Sequence, residues 1–220
     1  MRTGPFEQHL REAIALNRAR APLYAALTEG TSLGVSRKLL CAQHLSLPIA
    51  RWLDHKAAPY HRAGIPLLEQ VFVSMREAPS FAFPAPVAPL ADYAPPMAGS
   101  IRHRVRDAYC RSGFAGASRM LELEIAALSR RPCFDCMLRH LLESALRASN
   151  LAPLHAAQAR RVDLPPTEWM SRLLLRLHWW GFSGAARLDT EARPLQARGV
   201  PILCRDVPPI ASWPEGVTPC

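Results

Sequence analysis

The stretch Arg131-Pro132-Cys133-Phe134-Asp135-Cys136-Met137-Leu138-Arg139-His140 is where chemistry and helical periodicity coincide. Pro132 suits a first helical position, because the N–H it lacks would have had no partner there. Leu138, Leu141, Leu142 and Leu146 continue as one apolar stripe as far as Asn150, a residue type that ends helices. The spacing predicts a helix that opens with Cys133 in its first turn, followed by Cys136 and His140 one turn apart on the same face. A helix start favours the thiolate form of a cysteine, and Arg130 and Arg131 add to that; Asp135 opposes it.

Outward from this helix the chain keeps reading as helix. Residues 5–29 carry Leu10, Ile14, Leu23 and Leu27 on an inward face, with a break expected at Pro22. Ser32 is a suitable N-cap for a second helix through Leu39, Leu40 and Leu45; Pro48 should kink or restart it, and Pro59 to Gly64 should end it. Helices are expected again near 99–111, 114–130 and 152–161. A last one should follow Thr167, with Met170, Leu174, Leu177, Trp180 and Phe182 inward. The segment 79–97 is too rich in proline for helix or inner strand and predicts an extended crossover; the tail 199–220 should also be extended, with Ile202 and Leu203 buried. The expected fold is all-α, one domain over residues 1–220 with about seven to nine helices by this segment count.

Residues 36–68 match residues 171–203 without a gap, with 12 identities in 33 positions. The pair ends on Gly64-Ile65-Pro66-Leu67-Leu68 and Gly199-Val200-Pro201-Ile202-Leu203, and the caps Ser32 and Thr167 coincide. This predicts a structural repeat on either side of the Cys133 helix.

Composition narrows the function classes. A net charge of +9 comes almost wholly from arginine, since the only lysines are Lys38 and Lys56. The arginines are scattered without aromatic interleaving, which argues against a nucleic-acid footprint. No apolar run reaches the roughly 20 residues of a membrane span, and the N-terminus has no signal-peptide core. The expectation is a cytoplasmic protein with no membrane partner. Six irregularly spaced cysteines then read as thiols rather than a disulfide frame.

The set Cys133, Cys136 and His140 resembles the redox motif of the alkylhydroperoxidase-D-like (carboxymuconolactone decarboxylase) group, over about 30 residues of the chain. The resemblance implies Cys136 as attacking thiolate, Cys133 as resolving thiol, and His140 with an upstream glutamate as proton relay. The group's glutamate lies about a dozen residues before the first cysteine. Here that position is Leu121, so the candidates are Glu122 and Glu124. The implied activity is reduction of a peroxide or disulfide, with a dithiol protein as reductant, no cofactor and no resident metal, and with room for a homo-oligomer. Zinc on Cys133, Cys136 and His140, closed by Cys110 or Cys204, is a weaker alternative, because no second ligand pair of clear spacing exists. The opening helices also resemble the haem-oxygenase type of fold, without a counterpart of its haem-ligand histidine. The alternative of another class is a non-catalytic helical scaffold or regulatory interaction protein, its cysteines buried in the core.

Overall fold

Five α-helices form the described part of a computed structural model, which covers residues 4–65, 67, 98–129, 137–196 and 200. They are α1 (Pro5–Leu27), α2 (Leu33–Arg62), α3 (Ala98–Ser129), α4 (Met137–Arg161) and α5 (Glu168–Gln196). Among these residues there is no strand, so the all-α expectation holds. The crossover 79–97 and the tail beyond Val200 lie outside the described residues.

The helices are fewer and longer than the prolines suggested. α1 runs through Pro22, α4 through Pro153 and α5 through Pro194, and α2 through both Pro48 and Pro59. An internal proline removes one hydrogen bond and costs about 3 kcal/mol. Tertiary burial of a long amphipathic face outweighs that cost and carries the helix across the defect. The expected break between Arg111 and Phe114 is real: Ser112 (φ −138°, ψ 19°) and Gly113 (φ 60°, ψ −146°) leave helical geometry inside α3. Gly113 lies where side chains are strained. Just past it, a Cβ on Gly116 would stand 2.4 Å from the Ala108 carbonyl oxygen.

The described residues fall into two compact units. The first holds α1, α2 as far as Lys56, the end of α5 from Leu188, and Val200. Here α1 and α2 run antiparallel. Asn17 Nδ2 meets Gln43 Oε1 at 2.9 Å, and nearer the start of α1 the Asp54 carboxylate accepts the amides of Phe6 (3.0 Å) and Glu7 (2.9 Å). Asp54 thus satisfies two of the orphan donors at a helix start from across the hairpin. Only glycine fits at position 4, since an added Cβ would lie 2.3 Å from Asp54 Cγ. Glu7 accepts from Arg11 (2.6 Å) and Arg51 (2.8 Å), and these bonds, Arg51 first, hold its carboxyl below the usual range.

The second unit holds α3, α4, α5 up to Arg187, and the end of α2. Ile101, Val105, Ala117 and Leu121 of α3, Leu138, Leu142, Ala145 and Leu146 of α4, and Leu175, Trp179, Phe182 and Ala185 of α5 form one core. Trp180 was expected inward. It is its neighbour Trp179 that is buried, at 5% exposure, while Trp180 is 63% exposed. Leu10, Leu23, Leu27 and Leu177, also expected inward, are half-buried.

The repeat is visible in the backbone, and it reaches beyond the matched sequence. Ser36 N donates to Ser32 O at 3.1 Å, as Ser171 N does to Thr167 O at 3.1 Å. In the α2 copy Val35, Leu39, Ala50, Ala57, Tyr60 and Ile65 are buried; 135 residues on, so are Met170, Leu174, Ala185, Ala192, Leu195 and Val200. The same offset carries buried Ala13, Ile14, Arg20 and Tyr24 of α1 onto buried Ala148, Ser149, His155 and Ala159 of α4. Each first helix ends on a left-handed residue, Glu29 or Asp163, both with φ 51°. Its C-terminal bond is Gly30 N to Ala25 O in one copy and Leu164 N to Ala159 O in the other. Relative to the offset, α4 ends one residue early and the following loop is one residue longer, so the register is kept. Gly199, expected to share the conformation of Gly64, lies outside the described residues.

Candidate functional site

Cys133 and Cys136 lie among residues 130–136, outside the described part of the chain. α4 is described from Met137, and His140 stands half-buried in its first described turn. Beside it Arg139 Nε donates to Glu143 at 2.9 Å, an i,i+4 pair whose carboxylate side chain is 7% exposed. Of the two candidate glutamates on α3, Glu122 is half-buried and Glu124 is 1% exposed. Two residues apart on a helix, they point about 200° apart. Glu124 Oε1 accepts Arg104 Nε at 2.6 Å and also meets the Arg104 Nη2 atom. A buried carboxylate held in this way is committed to its arginine.

The two described cysteines, Cys41 and Cys110, are free and exposed, whereas cysteine is among the most buried residue types. No group of three or more His, Cys, Asp or Glu residues suited to a metal ion occurs among the described residues. Burial holds the ionisation of His155 and His178 below the ordinary histidine value. For His155 a neighbouring His61 adds to the effect; for His178 a contact of Nδ1 with the Leu174 carbonyl, at 2.7 Å, opposes it.

A second feature has no counterpart in the sequence expectations. Cys41, Leu45, Ile49 and Trp52 follow one another on α2 at steps of four, four and three, which puts them on one face. All four are exposed: Leu45 at 72%, Ile49 at 43% and Trp52 at 44%, with Cys41 beside them. Lys56 Nζ stands 6.0 Å over the Trp52 ring at the end of the row. The exposed ionisable side chains along this part of α2 are Arg37, Lys38, His44, Arg51, His55 and Lys56. Its one acid, Asp54, is turned to the start of α1. The sequence hides this face because α2 is apolar on two sides. Val35, Leu39, Ala50, Leu53 and Ala57 fill the core stripe, and periodicity does not say which stripe is inward. The legible signal was the excess: one helix carries more large apolar residues than one stripe holds.

In the second copy α3 side chains reach α5 at three places, of which Trp179 alone is buried. Tyr109 of α3 accepts a hydrogen bond from Arg172 Nε at 3.0 Å and meets Trp179 edge-on, centroids 6.3 Å apart. Arg102 of α3 lies over the Trp180 ring, its Cζ 3.3 Å from the centroid. Positions 172, 179 and 180 correspond by the offset of 135 to Arg37, His44 and Leu45, all exposed on α2.

No described helix is long and apolar enough to cross a membrane. Compared with protein-family models, with curated proteins and with solved structures, the chain matches none of them.

Proposed function

We propose that the protein is a helical interaction module that docks a partner on the exposed face of α2. The observation that carries this is the row Cys41, Leu45, Ile49 and Trp52, contiguous, apolar and exposed. Single exposed apolar residues are ordinary on a soluble surface, but a contiguous row with a polar rim is the pattern of a binding site. The tryptophan at its end, stacked by Lys56, is the kind of anchor that dominates interfaces. A photo-crosslinking residue placed at 45 or 49, in the protein's own host, should give a discrete heavier adduct. The same residue at exposed Glu12 of α1 should give none. Absence of an adduct at both 45 and 49 would end this reading.

A second reading rests on the spacing of Cys133, Cys136 and His140, with His140 in the first described turn of α4. In it the chain is a thiol oxidoreductase. The Cys136 thiolate attacks a peroxide oxygen and becomes a sulfenic acid, and the alcohol or water leaves. The Cys133 thiol then condenses with the sulfenic acid, forming a disulfide and releasing water, and a dithiol reductant restores both thiols. His140, with Glu122 or Glu124, moves the protons. Mass spectrometry of the peptide bearing both cysteines, across a peroxide titration, tests this. Cys136 should alkylate fastest at neutral pH and couple to Cys133, and Cys133→Ser should drive Cys136 to over-oxidation. Two unreactive thiols beside a freely labelled Cys41 would remove the enzyme reading.

A further inference from the structure

We infer that the α3–α5 face of the second unit binds single-stranded nucleic acid, with a base stacked on Trp180 and phosphates on the arginines around it. Trp169, Arg172, Arg176, Trp180 and Arg187 follow one another on α5 at steps of three, four, four and seven. At about 100° per residue they fall within an arc of about 80°. Arginines that look scattered along the sequence are therefore interleaved with indole rings on one helix face. All of these residues are exposed, Trp180 at 63% and Trp169 at 41%. Between Trp169 and Arg187 the helix carries no Asp or Glu. Trp169 and Arg187 make further contacts within the chain; Arg172, Arg176 and Trp180 are the centre of the face.

α3 adds charge to the same place. Arg102 Cζ lies 3.3 Å from the Trp180 centroid, and Tyr109 accepts from Arg172 Nε at 3.0 Å. The two helices thus run antiparallel along this face, and exposed Arg106, between Arg102 and Tyr109, lines it as well. Its partner Asp107, at 2.9 Å, is the one acid of α3 before the break at Ser112. Among the described residues Arg102, Arg172 and Arg176 take part in no ion pair. Arg102 covers one side of the Trp180 indole, and most of the rest of the ring meets solvent. One turn on, Gly184 has no side chain to lie over that ring, and a Cβ built there would meet nothing within 4 Å. An exposed aromatic ring among guanidiniums is how single-strand binders work: bases stack on the ring and the backbone follows the charge. A duplex keeps its bases stacked on one another and offers none to Trp180. An anionic membrane needs a broader apolar face than two tryptophans among arginines.

The test titrates the full-length chain into a fluorescein-labelled oligothymidylate about 16 nucleotides long. Its comparisons are the duplex with oligoadenylate, an abasic strand of equal length, and phosphatidylserine–phosphatidylcholine vesicles. The single strand should bind in the micromolar range, and more weakly as salt is raised. The duplex and the abasic strand should each bind at least about tenfold more weakly. Trp180→Ala should cost the single strand about tenfold and leave the abasic strand unaffected, and Trp180→Phe should restore most of the loss. Arg176→Glu should weaken binding at least about tenfold; Arg37→Glu, the same charge change on α2, should do so by less than about threefold. The melting temperature should not move, because the replaced side chains are exposed. No binding of the single strand, equal or tighter binding of the duplex or the abasic strand, or equal losses on Arg37→Glu and Arg176→Glu would overturn the inference. So would vesicle capture that Trp180→Ala abolishes while the strand stays unbound, since the face would then meet lipid. A drop of several degrees on Trp180→Ala overturns it too, because the ring would then be a packing residue. None of these results bears on the crosslinks at 45 and 49, which test the α2 row.

Discussion

Tyr60 and Leu195 are one position of a unit used twice: each gives its carbonyl oxygen to the amide five residues on, Ile65 at 2.9 Å and Val200 at 3.1 Å. That bond is the six-to-one closure that ends a helix around a left-handed residue, here Gly64 at φ 75°. Both long helices are thus followed by the same backbone bond to a buried aliphatic residue.

Equivalent positions in the two copies should respond alike to added volume. Ala57 and Ala192 are both fully buried. Ala57→Leu and Ala192→Leu are each expected to destabilise by about 1–3 kcal/mol, the range for overpacking a filled core. Urea denaturation of the two variants checks this; a neutral result at only one site would show that the copies pack differently.

Gly4 and Asp54 should behave as a single element. Gly4→Ala forces the Asp54 carboxylate away from the Phe6 and Glu7 amides, and Asp54→Ala removes it. Each is expected to cost about 1 kcal/mol or more, the scale of a lost helix cap. The double variant should cost markedly less than the sum, because both changes remove the same two bonds.

Breaking the Arg104–Glu124 pair should be severe. Glu124→Gln removes the buried carboxylate charge that faces the Arg104 guanidinium, at a cost of about 3 kcal/mol. Replacing both by apolar residues of similar volume should recover much of the loss. If Glu124→Gln were instead stable and affected only thiol reactivity, Glu124 would be the relay carboxylate and Glu122 would not.

Stability should fall on mild acidification. Burial lowers the ionisation of His155 and His178 below the ordinary 6.5, so the unfolded chain takes up protons that the folded chain refuses. The folded state has its full advantage above about 6.5 and loses it as pH drops below that value. Melting temperature should therefore be flat from pH 7 to 8 and lower at pH 5.5. His155→Gln should flatten part of that slope. Glu7 acts in a separate window: its depressed ionisation supports the fold above the ordinary 4.5 and that support is lost as pH falls further.

Much of the architecture was legible because it depends on local pattern. The all-α class, the break at Ser112-Gly113, the starts after Ser32 and Thr167 and the 36–68/171–203 repeat follow from periodicity, glycine freedom and direct identity. The sequence alone did not extend the repeat to α1 and α4. There the shared feature is which positions are buried, and burial tolerates Ile14 against Ser149 or Arg20 against His155. Nor did it show that the helices would pass through Pro22, Pro48 and Pro153. That outcome depends on packing energy summed over a whole helix face, which local propensity does not contain.

For the candidate sites the division is the same. Spacing alone singled out Cys133, Cys136 and His140, since a motif is a local quantity, and the choice between Glu122 and Glu124 was left open. Tertiary structure adds what spacing could not, bringing Arg104 to Glu124 from twenty residues away in sequence. It also decided that Trp179 and not Trp180 is buried, and that the apolar row of α2 is exposed. One stripe of a helix is like another until a neighbour covers it, and which stripe is covered is fixed by non-local packing.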